Sequence, residues 1–174
     1  MHRASLAATI AATLVLGCDS GGPSTSGDFS FTATLDGAPW VADTGIALAF
    51  AAPTDTSLTI SAARRVSPTE EQEITVFLMQ YGRLGQSALG DAAAPGMGAF
   101  SITQISNDSA TGFVSYLTDA REPGLVSITA INRADSTISG TFAFTASTHP
   151  DTIAHRRVTG YFRVRYSMQT VIIP

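Results

Sequence analysis

The residues best suited to chemistry lie in one short segment that holds His149, Asp151 and His155. Such side chains can bind a metal ion, or can serve as general base and orienter for a serine nucleophile. A metal site needs further convergent ligands, and serine hydrolysis needs a Gly-x-Ser-x-Gly elbow that the sequence lacks. We therefore predict no catalytic residue, no metal ligand and no cofactor. A hydrolase or metal-dependent enzyme that uses these three residues is kept as an alternative.

Acidic and amide side chains offer two further candidates. Glu70, Glu71 and Glu73 form a small acidic run that leads into a predicted strand. Paired carboxylates hydrolyse a glycosidic bond only from opposite sides in a cleft, whereas neighbours beside a turn are typical of a solvated sheet edge. Asn132 and Asp135 lie in a loop with too few oxygen ligands for calcium and without the Asp-x-Asp-x-Asp-Gly pattern. We predict no site at either place.

Arg156, Arg157, Arg163 and Arg165 form the one basic concentration, with Tyr161 between them. We expect this group to lie on the outward face. Such a face could contact anionic lipid headgroups or an acidic glycan, each arginine contributing at most ~1 kcal/mol near a charged surface. The alternative is cross-strand pairing with aspartates, which contributes little to stability. We favour the pairing.

The amino-terminal segment predicts export and a lipid anchor. Residues 1–17 have a basic start and an apolar run shorter than the ~20 residues that span a bilayer, which is typical of a signal peptide. The end of this segment, Leu14-Val15-Leu16-Gly17-Cys18, resembles the lipobox of bacterial lipoproteins, and Cys18 is the only cysteine. Two or three acyl chains on Cys18 would anchor the protein stably in a membrane, where one chain would be marginal.

Residues 18–28 then consist of the lipidated cysteine and a Gly/Ser-rich flexible tether. We expect an exported protein of the cell envelope, on the periplasmic or the outer surface, with acyl chains on Cys18 as its contact with the membrane.

Composition and charge favour a folded domain and give no sign of a nucleic-acid partner. The chain has 174 residues, 44% hydrophobic and 14% charged, which is enough apolar material for one folded domain. The net charge is -4, and all ten basic residues are arginine. This balance gives no support for a nucleic-acid partner.

A two-residue alternation of apolar and polar side chains through residues 125–166 predicts three consecutive antiparallel strands. The predicted inward residues are Val126, Ile128 and Ala130, then Ile138, Gly140, Phe142, Phe144 and Ala146, then Val158, Gly160, Phe162, Val164 and Tyr166. Residues 132–136 are short enough for a hairpin loop, and Asp36-Gly37 predicts a type I′ turn after an opening strand. Residues 82–98 have no clear period and are predicted to be irregular, with a role that stays open.

The remaining alternating segments complete a single all-β domain over residues 29–174. We expect about 9–10 short strands in this domain. Their spacing is typical of an antiparallel β-sandwich or a partly closed barrel, and we predict one of these two architectures.

Two stretches carry a resemblance to a family of uncharacterised bacterial lipoproteins with an all-β domain. One is residues 31–40, Phe-Thr-Ala-Thr-Leu-Asp-Gly-Ala-Pro-Trp, and the other is residues 138–146 followed by 158–162. The resemblance implies a lipid-anchored domain of unknown function, and it brings no catalytic residues with it.

Anchor, tether and β-domain together predict a non-catalytic binding or structural module of the cell envelope. Its partner would be a protein, a glycan or a small ligand. A lipocalin-like carrier of a small apolar ligand is an alternative, which an apolar internal cavity of ~300 Å³ or more would favour.

Overall fold

The alternating sequence forms strands throughout the residues that the computed structural model describes, which are 30–43, 48–51, 57–79, 84–90, 96–107, 109–148 and 154–168. The strands are β1 (Ser30–Leu35), β2 (Ala38–Val41), β3 (Leu48–Ala51), β4 (Ser57–Ser67), β5 (Glu70–Met79), β6 (Gly85–Leu89), β7 (Gly96–Ser106), β8 (Ser109–Leu117), β9 (Gly124–Asn132), β10 (Thr137–Ser147) and β11 (His155–Met168). They form one sheet, antiparallel except where β3 pairs with β11. The all-β prediction is confirmed.

The sheet folds over on itself into two layers and is not closed into a barrel. β10 pairs with β11 along its full length, from Thr137 opposite Arg165 to Ser147 opposite His155, but it meets β8 only where Ser147 lies opposite Leu117. We call β2-β1-β11-β10-β9-β6 the front layer and β3-β4-β5-β7-β8 the back layer. Of the two predicted architectures, the structure is sandwich-like.

The core lies between the layers and is rich in aromatic rings. The ring of Phe31 lies 5.2 Å from that of Phe142 and 5.8 Å from that of Trp40, between ring centres. Trp40 is fully buried, and its indole Nε1 donates a hydrogen bond of 3.2 Å to Oε1 of Gln72 on β5. This bond ties the outermost strand of the front layer to the back layer.

The three-strand unit of residues 125–166 forms as predicted, and its glycines explain how large rings fit there. Gly140 lies opposite Phe162, and Phe142 lies opposite Gly160, so each ring faces a glycine on the neighbouring strand. A Cβ at Gly160 would lie 2.5 Å from Cζ of Phe142. The two glycines therefore leave the space that the two phenylalanine rings occupy.

The Asp36-Gly37 turn also forms as predicted. Both residues have positive φ, 52° and 84°, which is the left-handed conformation that a type I′ turn requires. β2 forms one edge of the sheet.

Two expectations are wrong. Residues 82–98 are not irregular throughout, because they contain β6, which pairs with β9, and the first residues of β7. Ala130 does not face the core, because the register of β9 shifts beside Ser139 and Gly140, so that exposed Ala130 is replaced by Ile131 against the core. An extra residue in one strand reverses the faces of the residues beyond it.

Candidate functional site

The outward surface of the front layer, which we call the front face, is lined mainly by polar side chains. Along β11, Val158, Gly160, Phe162 and Val164 face the core, and the residues that alternate with them point outward. The outward strand residues of this layer are Pro39 and Val41 of β2; Ser30, Thr32 and Thr34 of β1; His155, Arg157, Thr159, Tyr161, Arg163 and Arg165 of β11; Thr137, Ser139, Thr141, Ala143, Thr145 and Ser147 of β10; Leu125, Ser127, Ala130 and Asn132 of β9; and Gln86 and Ala88 of β6.

Hydroxyl groups surround the single tyrosine of the front face. Tyr161 is half-buried and lies opposite Thr32 on one side and Thr141 on the other. One position along β11, Thr159 lies opposite Thr34, and the two hydroxyl oxygens are 2.7 Å apart in a hydrogen bond. Each hydroxyl can donate one hydrogen bond and accept others, so the surface can match a ligand that is rich in hydroxyl groups.

The charge of the front face is one-sided. Its outward strand residues include Arg157, Arg163 and Arg165 but no aspartate or glutamate. Within the part of the chain that the structure describes, the guanidinium groups of Arg157 and Arg163 have no hydrogen bond and no ion pair. None of the described aspartates pairs with these two residues, and their pairing with an aspartate stays a prediction.

An open pocket of about 530 Å³ lies at one end of the front face, lined by Thr34, Asp36, Gly37, Arg157 and Thr159. Asp36 is fixed there because its Oδ1 accepts a hydrogen bond of 2.9 Å from the backbone N–H of Arg157. The backbone N–H of Asp36 in turn donates to the carbonyl oxygen of Arg157, at 2.8 Å. The turn is thus held against β11, and the Arg157 side chain belongs to the pocket.

Arg156 has a different role from the one that the sequence predicts. It lies opposite buried Ala146, on the inward side of β11, and not on the outward face. Its Nη1 lies 2.7 Å from Oδ2 of Asp36, and its guanidinium carbon lies 5.4 Å from the ring centre of Tyr116 on β8. Arg156 thus bridges the two layers at the end of the core, and the predicted aspartate pairing is observed for this arginine.

The Asp36 carboxyl group has a pKa below its ordinary value of 3.8. Its partial burial acts to raise the pKa, but the backbone hydrogen bond from Arg157 and the hydrogen bond and charge of Arg156 together outweigh that effect. Asp36 is therefore ionised at neutral pH, and its negative charge is balanced by Arg156. The Arg157 guanidinium has no such carboxylate partner among the described residues.

A second pocket of about 200 Å³ adjoins the first along β10 and β11, because Thr145 of this pocket lies opposite Arg157. It is lined by Asp119, Arg121, Glu122, Thr145, Ser147 and His155. His155 is exposed and points outward from β11, whereas His149 and Asp151 lie outside the described residues. Among the residues that are described, no group of three or more His, Cys, Asp or Glu could hold a metal ion. The enzyme alternative stays a prediction.

The other acidic and amide candidates serve local structure. Glu70 and Glu73 lie within β5, where Glu70 accepts a hydrogen bond from Gln72 Nε2 at 3.0 Å and Glu73 accepts one from Ser61. Glu71 forms an ion pair with an arginine of β4 at 3.7 Å.

In the turn between β9 and β10, Oδ1 of Asn132 accepts from the backbone N–H of Ala134 at 3.0 Å, and Oδ1 of Asp135 accepts from the Thr137 hydroxyl at 2.7 Å. These contacts hold the two segments locally, and the absence of a sugar or calcium site at either place stays a prediction.

Comparison with known proteins places the chain in a family. A family model described as a domain of unknown function (DUF6252) matches residues 27–164. The chain belongs to this family. No curated protein matches it, and no solved structure does. Membership of this family therefore assigns no activity to the chain. The evidence for a function comes from the chemistry of the front face.

The structure and the comparisons do not test the predicted lipid anchor or the predicted tether. Cys18 and the tether of residues 18–28 lie outside the described residues, so the anchor stays a prediction. Within the described ranges, no helix has the length and apolar composition that a bilayer crossing requires.

Thr34, Asp36 and Thr159 are site residues that the sequence did not single out. Asp36 was identified only as a turn residue. The pocket depends on β1 lying beside β11, and the hydrogen-bonded hydroxyls of Thr34 and Thr159 are 125 positions apart in the chain. The local pattern predicts each strand but not this pairing.

Proposed function

We propose that this protein is a lipid-anchored, non-catalytic binding module of the cell envelope and that its front face binds a glycan. The observation that supports glycan binding is the open pocket of about 530 Å³, lined by two threonine hydroxyls, a turn and an arginine whose side chain has no hydrogen bond or ion pair to another described residue. It continues into the row of hydroxyl residues that flanks Tyr161.

The chemistry of a sugar fits these groups. Sugar hydroxyls need many donors and acceptors at short spacing, and serine and threonine hydroxyls supply both. Sugar rings also present C–H groups, which pack against an aromatic ring that has an apolar body and a polar tip, as tyrosine does. Tyr161, half-buried between Thr32 and Thr141, provides such a ring in the middle of the hydroxyl rows.

The envelope location rests on the sequence of the amino-terminal segment. A short apolar signal, a small residue before Cys18 and a polar Gly/Ser-rich stretch after it occur together. Acyl chains on Cys18 would each contribute ~0.8 kcal/mol per buried CH₂, which makes anchoring by two or more chains stable. A tether of about ten flexible residues would allow the domain to lie ~15–20 Å from the anchor.

Glycan binding is tested with the full-length protein in detergent micelles on an array of envelope and extracellular glycans. We expect binding that is lost when Thr34 and Thr159 are both replaced by valine, which keeps the side-chain shape and removes the hydroxyls. Thr103→Val on the back layer is the matched control and should bind like the wild type. Equal binding by all three proteins, or binding by none, would show that the front face is not a glycan site.

The anchor is tested separately by metabolic labelling with a fatty-acid analogue. We expect label on the wild type and none on Cys18→Ala, together with release of the alanine variant from the membrane fraction. If Cys18→Ala stays in the membrane fraction as firmly as the wild type, the anchor proposal is wrong.

A further inference from the structure

We infer that the glycan is acidic and that Arg157 and Arg163 bind its carboxylate groups on either side of a sugar ring packed on Tyr161. This inference rests on the proposed glycan-binding function and names the class of glycan. The three side chains lie on one strand and point outward. At ~3.3 Å per residue, Arg163 is ~7 Å and Arg157 ~13 Å from Tyr161 along the strand. The arrangement suits a chain of sugars and not a single sugar.

Charge complementarity gives the sign of the ligand. The whole chain has a net charge of -4, yet the outward strand residues of the front layer include three arginines and no carboxylate. The nearest carboxylate in the larger pocket, Asp36, is neutralised by Arg156 at 2.7 Å. An anionic polymer would therefore meet positive charge along the outward residues of β11, on a protein that is otherwise acidic. The carboxylates of Asp119 and Glu122 line the second pocket together with Arg121.

The form of the anion follows from the type of residue. A guanidinium group is planar and binds a carboxylate through two parallel hydrogen bonds. Neither Arg157 nor Arg163 has an ion pair or a side-chain hydrogen bond within the described residues, so binding breaks no contact among those residues. Uronic acids combine such a carboxylate with ring hydroxyls.

The neighbours of the two arginines favour a glycan over lipid headgroups. A surface that inserts at a membrane combines basic residues with protruding apolar side chains. Arg163 instead lies opposite Ser30 and Ser139, and Arg157 lies opposite Thr145. Hydroxyl groups beside each guanidinium can bind the ring hydroxyls that adjoin a sugar carboxylate.

The test compares polymers that differ only in charge. Polygalacturonate, alginate and hyaluronate are titrated into the full-length protein in uncharged micelles, each against its own methyl ester, which keeps the sugar chain and removes the charge. We expect at least one acid form to bind roughly ten-fold or more tightly than its ester, as a charge-assisted contact implies. The difference should shrink between about 0.1 M and about 1 M salt, over which the Debye length falls from about 10 Å to about 3 Å.

Variants locate the effect. Arg157→Gln with Arg163→Gln should lose the preference for the acid form, whereas Arg65→Gln, a matched charge change on the back layer, should retain it. Tyr161→Ala should weaken both forms of the polymer and Tyr161→Phe neither. If the double variant keeps the preference, the two arginines are not the carboxylate site and the inference is wrong.

The remaining outcomes separate this inference from the proposal on which it rests. Equal affinity for acid and ester overturns the acidic class and leaves glycan binding intact. Binding of neither form, combined with an array without hits, overturns both. If phosphatidylglycerol in the micelles displaces the polymer and this displacement needs Arg157 and Arg163, lipid headgroups occupy the face and the inference is wrong.

Discussion

Gly160 lies between the Phe142 ring and the backbone of β1, and replacing it with alanine should destabilise the protein by about 1–2 kcal/mol. A Cβ there would lie 2.5 Å from Cζ of Phe142 and 2.5 Å from the carbonyl oxygen of Thr32 on β1. The ring could give way by rotation, but the backbone carbonyl can move only if β1 shifts away from β11. Overpacking of this kind costs about 1–3 kcal/mol, and alanine recovers only about 0.4–1 kcal/mol through the lower entropy of the unfolded chain.

Gly112→Ala is the matched control, because the two substitutions should have opposite signs. Gly112 is also in a strand, but the nearest atom to a Cβ there is Cβ of Gln104 at 3.5 Å, an ordinary contact. Alanine at this position should be neutral or stabilise the protein by up to about 1 kcal/mol. The contrast removes any general effect of a glycine-to-alanine change.

The assay is urea unfolding followed by the fluorescence of Trp40, which is the only tryptophan of the chain and is fully buried. Extrapolation of the unfolding free energy to zero urea gives the difference between variants, provided that the slope is unchanged. If Gly160→Ala unfolds at the same urea concentration as Gly112→Ala or at a higher one, the close packing at Gly160 does not limit the fold. Combining Gly160→Ala with Phe142→Leu separates the two clashes, since the smaller side chain relieves only the one with the ring.

Two further predictions concern the contacts that hold β2 and the Asp36 turn in place. Gln72→Ala should cost about 1–3 kcal/mol, because it leaves the buried indole N–H of Trp40 without an acceptor, while Gln72→Glu keeps an acceptor and should cost less; urea unfolding by Trp40 fluorescence measures both. Because the folded pKa of Asp36 lies below its ordinary value of 3.8, its carboxylate contributes stability that is present above about pH 4 and is lost as pH falls through the folded pKa. The stability of Asp36→Asn should therefore fall less than that of the wild type on acidification from about pH 5, and parallel acid-unfolding curves would refute this reasoning.

Local patterns predicted those parts of the fold that depend on neighbours in sequence. The Asp36-Gly37 turn follows from the positive φ that its type requires, and the inward residues of β10 follow from strict alternation. β6 gave no such signal, because Gly85–Leu89 reads Gly-Gln-Ser-Ala-Leu and only Leu89 of this strand is fully buried. It is the outermost strand beside β9, where a short polar sequence is tolerated.

The candidate site could be predicted only in part. The alternation of inward and outward residues along β11 shows why. The sequence shows that arginines flank Tyr161, but it predicts that all four lie together on the outward face. Alternation along β11 places Arg157 and Arg163 outward and Arg156 inward, beside Tyr116 and Asp36. This difference between Arg156 and Arg157 can be predicted only if β11 is known to begin as early as His155. The partner of Arg156 could not be predicted, because Asp36 lies in a turn that is distant in sequence.

The direction in which the chain enters the front layer bears on whether the ligand lies outside the membrane. β1 begins at Ser30, opposite Arg163, and ends at Leu35, next to the turn that lines the larger pocket. Six extended residues span ~20 Å. If residues 18–28 tether the domain through Cys18, the tether joins β1 at its Ser30 end, and the pocket lies at the opposite end of that strand. A pocket directed away from the anchor is better placed for a glycan outside the membrane than for the headgroups beside the anchor. If the anchor is present, the direction of β1 therefore favours a glycan at the pocket and Arg157, while Arg163 lies at the Ser30 end nearer the tether.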